Sequence, residues 1–125
     1  MPRILLVDDE PNIVLALEFL MKKAGYETLT ADDGEKALEA IREHRPDLVI
    51  LDLMMPRLDG YEVCQRVRSD PALKKMIIVM LTAKGREVER EKGLAMGADL
   101  YITKPFSTRE VVEKVRELLA EASGP

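Results

Sequence analysis

Short apolar runs alternate along the chain with stretches of helical period. The runs fall at residues 4–7, 48–51, 77–81 and 100–102, with a weaker one at 28–31. The four stronger runs are nearly continuous in Val, Ile and Leu, the signature of strands buried on both faces, as in a parallel sheet covered by helices.

The intervening segments carry helix punctuation. Pro11 suits a first helical position, and Ile13, Leu17, Leu20, Met21 and Ala24 follow on one face before Gly25 ends the turn. Asp32 with Glu35, Asp59 with Glu62 and Ser107 with Glu110 have capping-box spacing. The second helix is expected to bury Ala37, Leu38 and Ile41, and the third Val63 and Val67. A fourth, over 86–96, is very polar and offers only Val88, Leu94 and Ala95 to a core, whereas the last presents Val111, Val115, Leu118 and Ala122. Five βα repeats imply an α/β domain: a doubly wound parallel five-stranded sheet with helices on both faces and right-handed crossovers.

Composition narrows the function classes. With 125 residues, 46% hydrophobic and 34% charged, the chain suits one compact domain with a real core. A net charge of -4 argues against a nucleic-acid surface. No stretch approaches the roughly 18 apolar residues of a membrane span. The chain enters its first strand without a signal-peptide pattern, and its one cysteine, Cys64, suits a reducing compartment, so a cytoplasmic domain is expected.

Ligands of such folds bind beyond the C-terminal strand ends, near the topological switch point. Asp8, Asp9 and Glu10 follow the first run, Asp52 the third, Thr82 and Ala83 the fourth, and Thr103, Lys104 and Pro105 the fifth. If the first and third strands are neighbours, three carboxylates crowd one sheet edge, which opposes ionisation unless a cation neutralises them. Such hard oxygen ligands suit Mg²⁺. Lys104 would add a point charge for a phosphate oxygen and Thr82 a hydroxyl donor, a set that suits phosphoryl transfer. Singly, each has an ordinary explanation: an acidic pair complementing a helix dipole, a loop carboxylate, a Lys-Pro turn, a capping threonine.

Together these residues resemble the receiver domains of two-component response regulators across essentially the whole chain. Ile4-Leu5-Leu6-Val7-Asp8-Asp9-Glu10 resembles the family's opening strand and acidic pair. The segment from Asp47 through Asp52 to Pro56, with Asp59-Gly60, resembles its phospho-acceptor region, and Leu81-Thr82-Ala83 and Lys104-Pro105-Phe106 its remaining signatures. The resemblance implies sheet order 2-1-3-4-5, a receiver over residues 1–122, and 123–125 as a tail or the start of a linker. It implies Asp52 as phospho-acceptor; a metal site for Mg²⁺, with Mn²⁺ as an alternative, in which Asp9, Asp52 and the Met54 carbonyl bind directly and Asp8 acts through water; and Thr82, the Ala83 N–H and Lys104 as phosphoryl-binding groups. Thr82 and Tyr101 would be the switch pair, and Lys104-Pro105 a candidate cis peptide. The implied function is a signalling domain that catalyses only its own phosphotransfer and autodephosphorylation. Its donor would be a sensor histidine kinase or phosphotransfer protein. Its output face would be the fourth helix, fifth strand and fifth helix, meeting a downstream effector or a second copy of the chain, with no direct contact to nucleic acid or membrane.

Rival readings fare worse. A flavin-binding relative of the fold would need an anion-cradling loop where Asp8-Asp9-Glu10 stand. A dehalogenase-like phosphohydrolase would want a second aspartate where Met54 stands, and a cap domain. A receiver-like module that is never phosphorylated would be favoured by loss of an acidic-pair member, the acceptor or the lysine, and none is lost. His44, among charged residues at a helix end, is expected to be solvated, Cys64 to be a buried thiol, and Met54 and Lys84 to tune phosphoryl lifetime.

Overall fold

The computed structural model describes residues 1–53, 55, 58–83 and 97–123. Its elements run β1 (Arg3–Val7), α1 (Pro11–Lys23), β2 (Glu27–Ala31), α2 (Gly34–His44), β3 (Leu48–Asp52), α3 (Gly60–Ser69), β4 (Ile77–Ala83), β5 (Leu100–Lys104) and a C-terminal helix (Thr108–Ser123), which includes the first residue of the predicted tail. The strands form one parallel sheet in the order β2-β1-β3-β4-β5, as the resemblance implied. The fourth predicted helix, Met54 and Lys84 lie outside the described residues.

Alternation along the buried strands divides the core in two. Ile4, Leu6, Leu48 and Ile50 face α1 and the C-terminal helix, meeting Leu17, Met21, Val111 and Val115. Leu5, Val7, Val49 and Leu51 face α2 and α3, meeting Ala37, Ile41, Val63 and Val67. Apolar matter on both sides is why these strands show no polar alternation in sequence.

Two local expectations change. Asp33, not Asp32, caps α2, accepting from Lys36 N at 2.8 Å, while Asp32 pairs with the Lys36 ammonium at 3.0 Å. The frame is set by Gly34, whose Cα packs so tightly on Leu58 that a Cβ would overlap it. The other two predicted caps form, Asp59 accepting from Glu62 N at 3.0 Å and Ser107 Oγ from Glu110 N at 3.3 Å. In addition, β3, β4 and β5 run past their apolar stretches to include Asp52, Thr82 and Lys104, because ladder hydrogen bonds involve the backbone whatever the side chain.

Candidate functional site

Each candidate residue sits at the C-terminal edge of the sheet because a strand delivers it there. β1 ends at Val7 and passes straight into Asp8, whose carboxylate accepts from Glu10 N at 2.9 Å. The next helix has no acidic residue in its first turn and no side-chain cap bond at Glu10, so the acidic pair is not serving as a cap. Asp52 is the last residue of β3, in register with Leu81 of β4. Leu53 N donates to Leu81 O at 3.0 Å and Gly60 N to Leu53 O at 3.0 Å, which fixes the chain leaving Asp52. Gly60 permits that approach, since a Cβ there would lie 2.9 Å from Asp52 O.

Asp8, Asp9 and Asp52 converge, with carboxylate oxygens within 4.8 Å of one another. Asp8 and Asp52 are only 2% and 5% exposed, while Asp9 faces solvent. Two buried acids and one open one form a hard-oxygen donor set that fits a divalent cation keeping several waters. Lys104 enters from β5, its Nζ 3.1 Å from Asp8 Oδ2, 3.4 Å from Glu10 Oε1 and 3.7 Å from Asp52 Oδ2. Burial disfavours its charge, but Asp52, Asp8 and Glu10 more than offset this and raise its pKa above the ordinary lysine value. Glu10, given no role from sequence, thus joins the charge network; its place beside the acidic pair was the available signal.

Thr82 is buried near the end of β4, opposite Thr103, and Tyr101 is buried opposite Met80. Thr82 lies two residues beyond Met80 and Thr103 two beyond Tyr101, so Thr82 and Tyr101 are diagonal neighbours on one face of the sheet. The Ala83 backbone pairs with Lys104, and the Lys104-Pro105 bond is cis. His44 is exposed and Cys64 is buried. Sequence reasoning also passed over Leu15 and Phe19 of α1, which stand 62% and 66% exposed one helical turn apart. The run of apolar residues through α1 hid which of them face out.

A doubly wound sheet with an acidic, lysine-bearing edge at its switch point defines a class: flavodoxin-like α/β domains with an acidic cluster that could hold a cation. Within that class the relatives are specific. The profile of the response regulator receiver domain matches residues 4–116, and the chain belongs to that family. It is 47% identical over 117 residues to the alkaline phosphatase synthesis transcriptional regulatory protein PhoP of Bacillus subtilis, covering 94% of this chain and 48% of that protein. The chain thus spans about half the length of that curated relative. Among solved structures it resembles the receiver domain of a signal transduction histidine kinase from Syntrophus aciditrophicus, with a TM-score of 0.93 and 30% identity over 100% of this chain and 95% of that one. It also resembles the chemotaxis response regulator CheY4 of Vibrio cholerae, with a TM-score of 0.88 and 32% identity over 94% of this chain and 98% of that one. The protein is therefore a response regulator receiver domain of two-component signalling.

Proposed function

We propose that this receiver takes a phosphoryl group onto Asp52 from a phosphohistidine of a sensor kinase or phosphotransfer protein, with Mg²⁺ as cofactor, in the cytoplasm. The observation that carries this reading is the meeting of Asp8, Asp9 and Asp52 with the Lys104 ammonium at one sheet edge. An oxygen of the Asp52 carboxylate forms the new P–O bond as the P–N bond breaks, and the imidazole leaves with the electron pair. Held by Asp9, Asp52 and the Met54 carbonyl, with Asp8 acting through water, the cation would supply positive charge to offset repulsion between carboxylate and phosphate. Lys104 holds one phosphoryl oxygen; the Thr82 hydroxyl and Ala83 N–H hold others. Movement of Thr82 toward the phosphoryl group draws in Tyr101 on the same sheet face, biasing a two-state output surface. That surface includes β5 and the C-terminal helix, with the fourth predicted helix, which lies outside the described residues, as its remaining part, and meets an effector or a second copy of the chain. Leu15 and Phe19, on the helix that begins beside the acidic pair, offer the donor protein an apolar contact.

The test is intact-mass spectrometry after incubation with a small acyl-phosphate donor, with and without Mg²⁺. A Mg²⁺-dependent gain of one phosphoryl group, lost in Asp52→Asn, is expected. No gain from either the small donor or a phosphorylated kinase would overturn the reading.

A further inference from the structure

The strand that carries Lys104 is poorly constrained by its own sequence. β5 lies at the edge of the sheet and, among the described residues, pairs with β4 alone. It buries Tyr101 toward α2 and α3 and the adjacent Ile102 toward α1 and the C-terminal helix. Of its five residues only these two are buried, one on each face, so packing sets the register of β5 through a very short apolar stretch. A long alternation of polar and apolar positions, the usual guardian of register, has little room to act over so few residues. Yet a slip of two residues would carry the Lys104 backbone roughly 6.6 Å along the strand axis, out of reach of Asp52.

A polar clamp at the opposite end of β5 supplies the missing constraint. Asp99 N donates to Ile78 O at 2.8 Å, and Ile78 N donates back to the Asp99 carboxylate at 2.8 Å. The same carboxylate oxygen accepts from Arg68 Nη2 at 2.8 Å. Arg68, on α3, also donates from Nε to Gly97 O at 2.8 Å and from Nη1 to the carbonyls of Lys74, at 2.8 Å, and Met76. One planar guanidinium thus binds the approach to β4 and the approach to β5 together, geometry an ammonium cannot reproduce. Gly97 makes room for it: its φ is +104°, and a Cβ there would lie 2.9 Å from Arg68 Cγ.

We infer that Arg68 and Asp99 are positioning residues for the phosphoryl site: their clamp fixes the register of β5 on β4 and so delivers Lys104, about 16 Å along the strand, to Asp52. This rests on the phospho-acceptor reading for its chemistry but not for its geometry.

Two measurements on the full chain test it. Rates of Mg²⁺-dependent phosphorylation by an acyl phosphate are compared for wild type, Arg68→Gln, Asp99→Ala, Lys104→Ala and the Arg68→Gln/Lys104→Ala double variant. Displacement of Lys104 should slow Arg68→Gln on the order of tenfold to a hundredfold. In the Lys104→Ala background the same substitution should change the rate by less than about twofold. An equal factor in both backgrounds, or no slowing at all, overturns the inference. The second readout is cross-strand NMR contact between Ala83 and Lys104. Its loss in Arg68→Gln upholds the register claim and its persistence overturns it, even if wild type takes no phosphoryl group and the functional reading is what fails. If Arg68→Gln does not fold, Arg68→Lys carries the same two measurements.

Discussion

Replacing Lys104 by Met keeps an unbranched stem and deletes the charge that the acidic cluster surrounds. In the wild type the ammonium lies 3.1 Å from Asp8 and 3.7 Å from Asp52, attractions of about 5 kcal/mol each at an effective dielectric near 20. Carboxylates no more than 4.8 Å apart repel by about 3.5 kcal/mol or more on the same scale. Desolvation of the ammonium cancels much of the attraction, and removing one partner of a buried ion pair costs about 3–5 kcal/mol. Lys104 is only partly buried, so a loss of about 2–3 kcal/mol is expected for the metal-free protein. For a domain of this size that is a fall in Tm of roughly 10 °C. The ammonium is also a competing cation, so its removal should tighten Mg²⁺ binding about tenfold, adding about 1.4 kcal/mol to the stabilisation by Mg²⁺. Thermal denaturation followed by circular dichroism, in EDTA and then in Mg²⁺, measures both effects. A variant as stable as wild type in EDTA, or one with the same Mg²⁺ increment, would show that Lys104 does not neutralise the cluster.

Other consequences are equally direct. Because the pKa of Lys104 is raised by its carboxylates, its contribution to stability is complete below the ordinary lysine pKa and lost as pH rises through the higher folded value; urea titrations of metal-free wild type and Lys104→Met should converge only at strongly alkaline pH. Gly60→Ala should cost about 1–3 kcal/mol in chemical denaturation and slow phosphorylation, since the new Cβ meets Asp52 O at 2.9 Å and Leu53 Cα at 3.0 Å. Asp33→Ala should cost about 1 kcal/mol through the lost cap of α2, whereas Asp32→Ala should be nearly silent, as compared by urea midpoints. Burial raises the pKa of Cys64, so a thiol reagent at neutral pH should label it only as fast as the domain opens, with labelling accelerating in urea.

Much of the fold was legible because its sheet is buried on both sides. Continuous Val, Ile and Leu runs such as 48–51 can be read without knowing their neighbours. Strand ends were not legible, since a ladder continues through Asp52 and Lys104 while hydrophobicity stops before them. The choice between Asp32 and Asp33 as cap was equally hidden, because the contact of Gly34 with Leu58 that decides it spans two elements. The acidic site could be read since its residues follow apolar runs one after another. The Arg68–Asp99 clamp could not: on the chain it is an ordinary helix-surface arginine and a turn aspartate 31 residues apart.

That division has a physical cause. A receiver site assembled from strand ends is only as well placed as the registers of those strands. β1 and β3 are interior strands, each paired on both sides, so Asp8 and Asp52 inherit their positions from two ladders apiece. Lys104 inherits its position from one ladder on an edge strand that buries a single residue on each face. The least constrained strand therefore carries the group whose charge the other residues depend on, and it is there that a part-exposed network of directional hydrogen bonds at the sheet edge supplements hydrophobic patterning as the source of specificity. Core truncations should therefore lower stability and spare site geometry, whereas loss of the clamp should impair site geometry by more than its loss of stability accounts for.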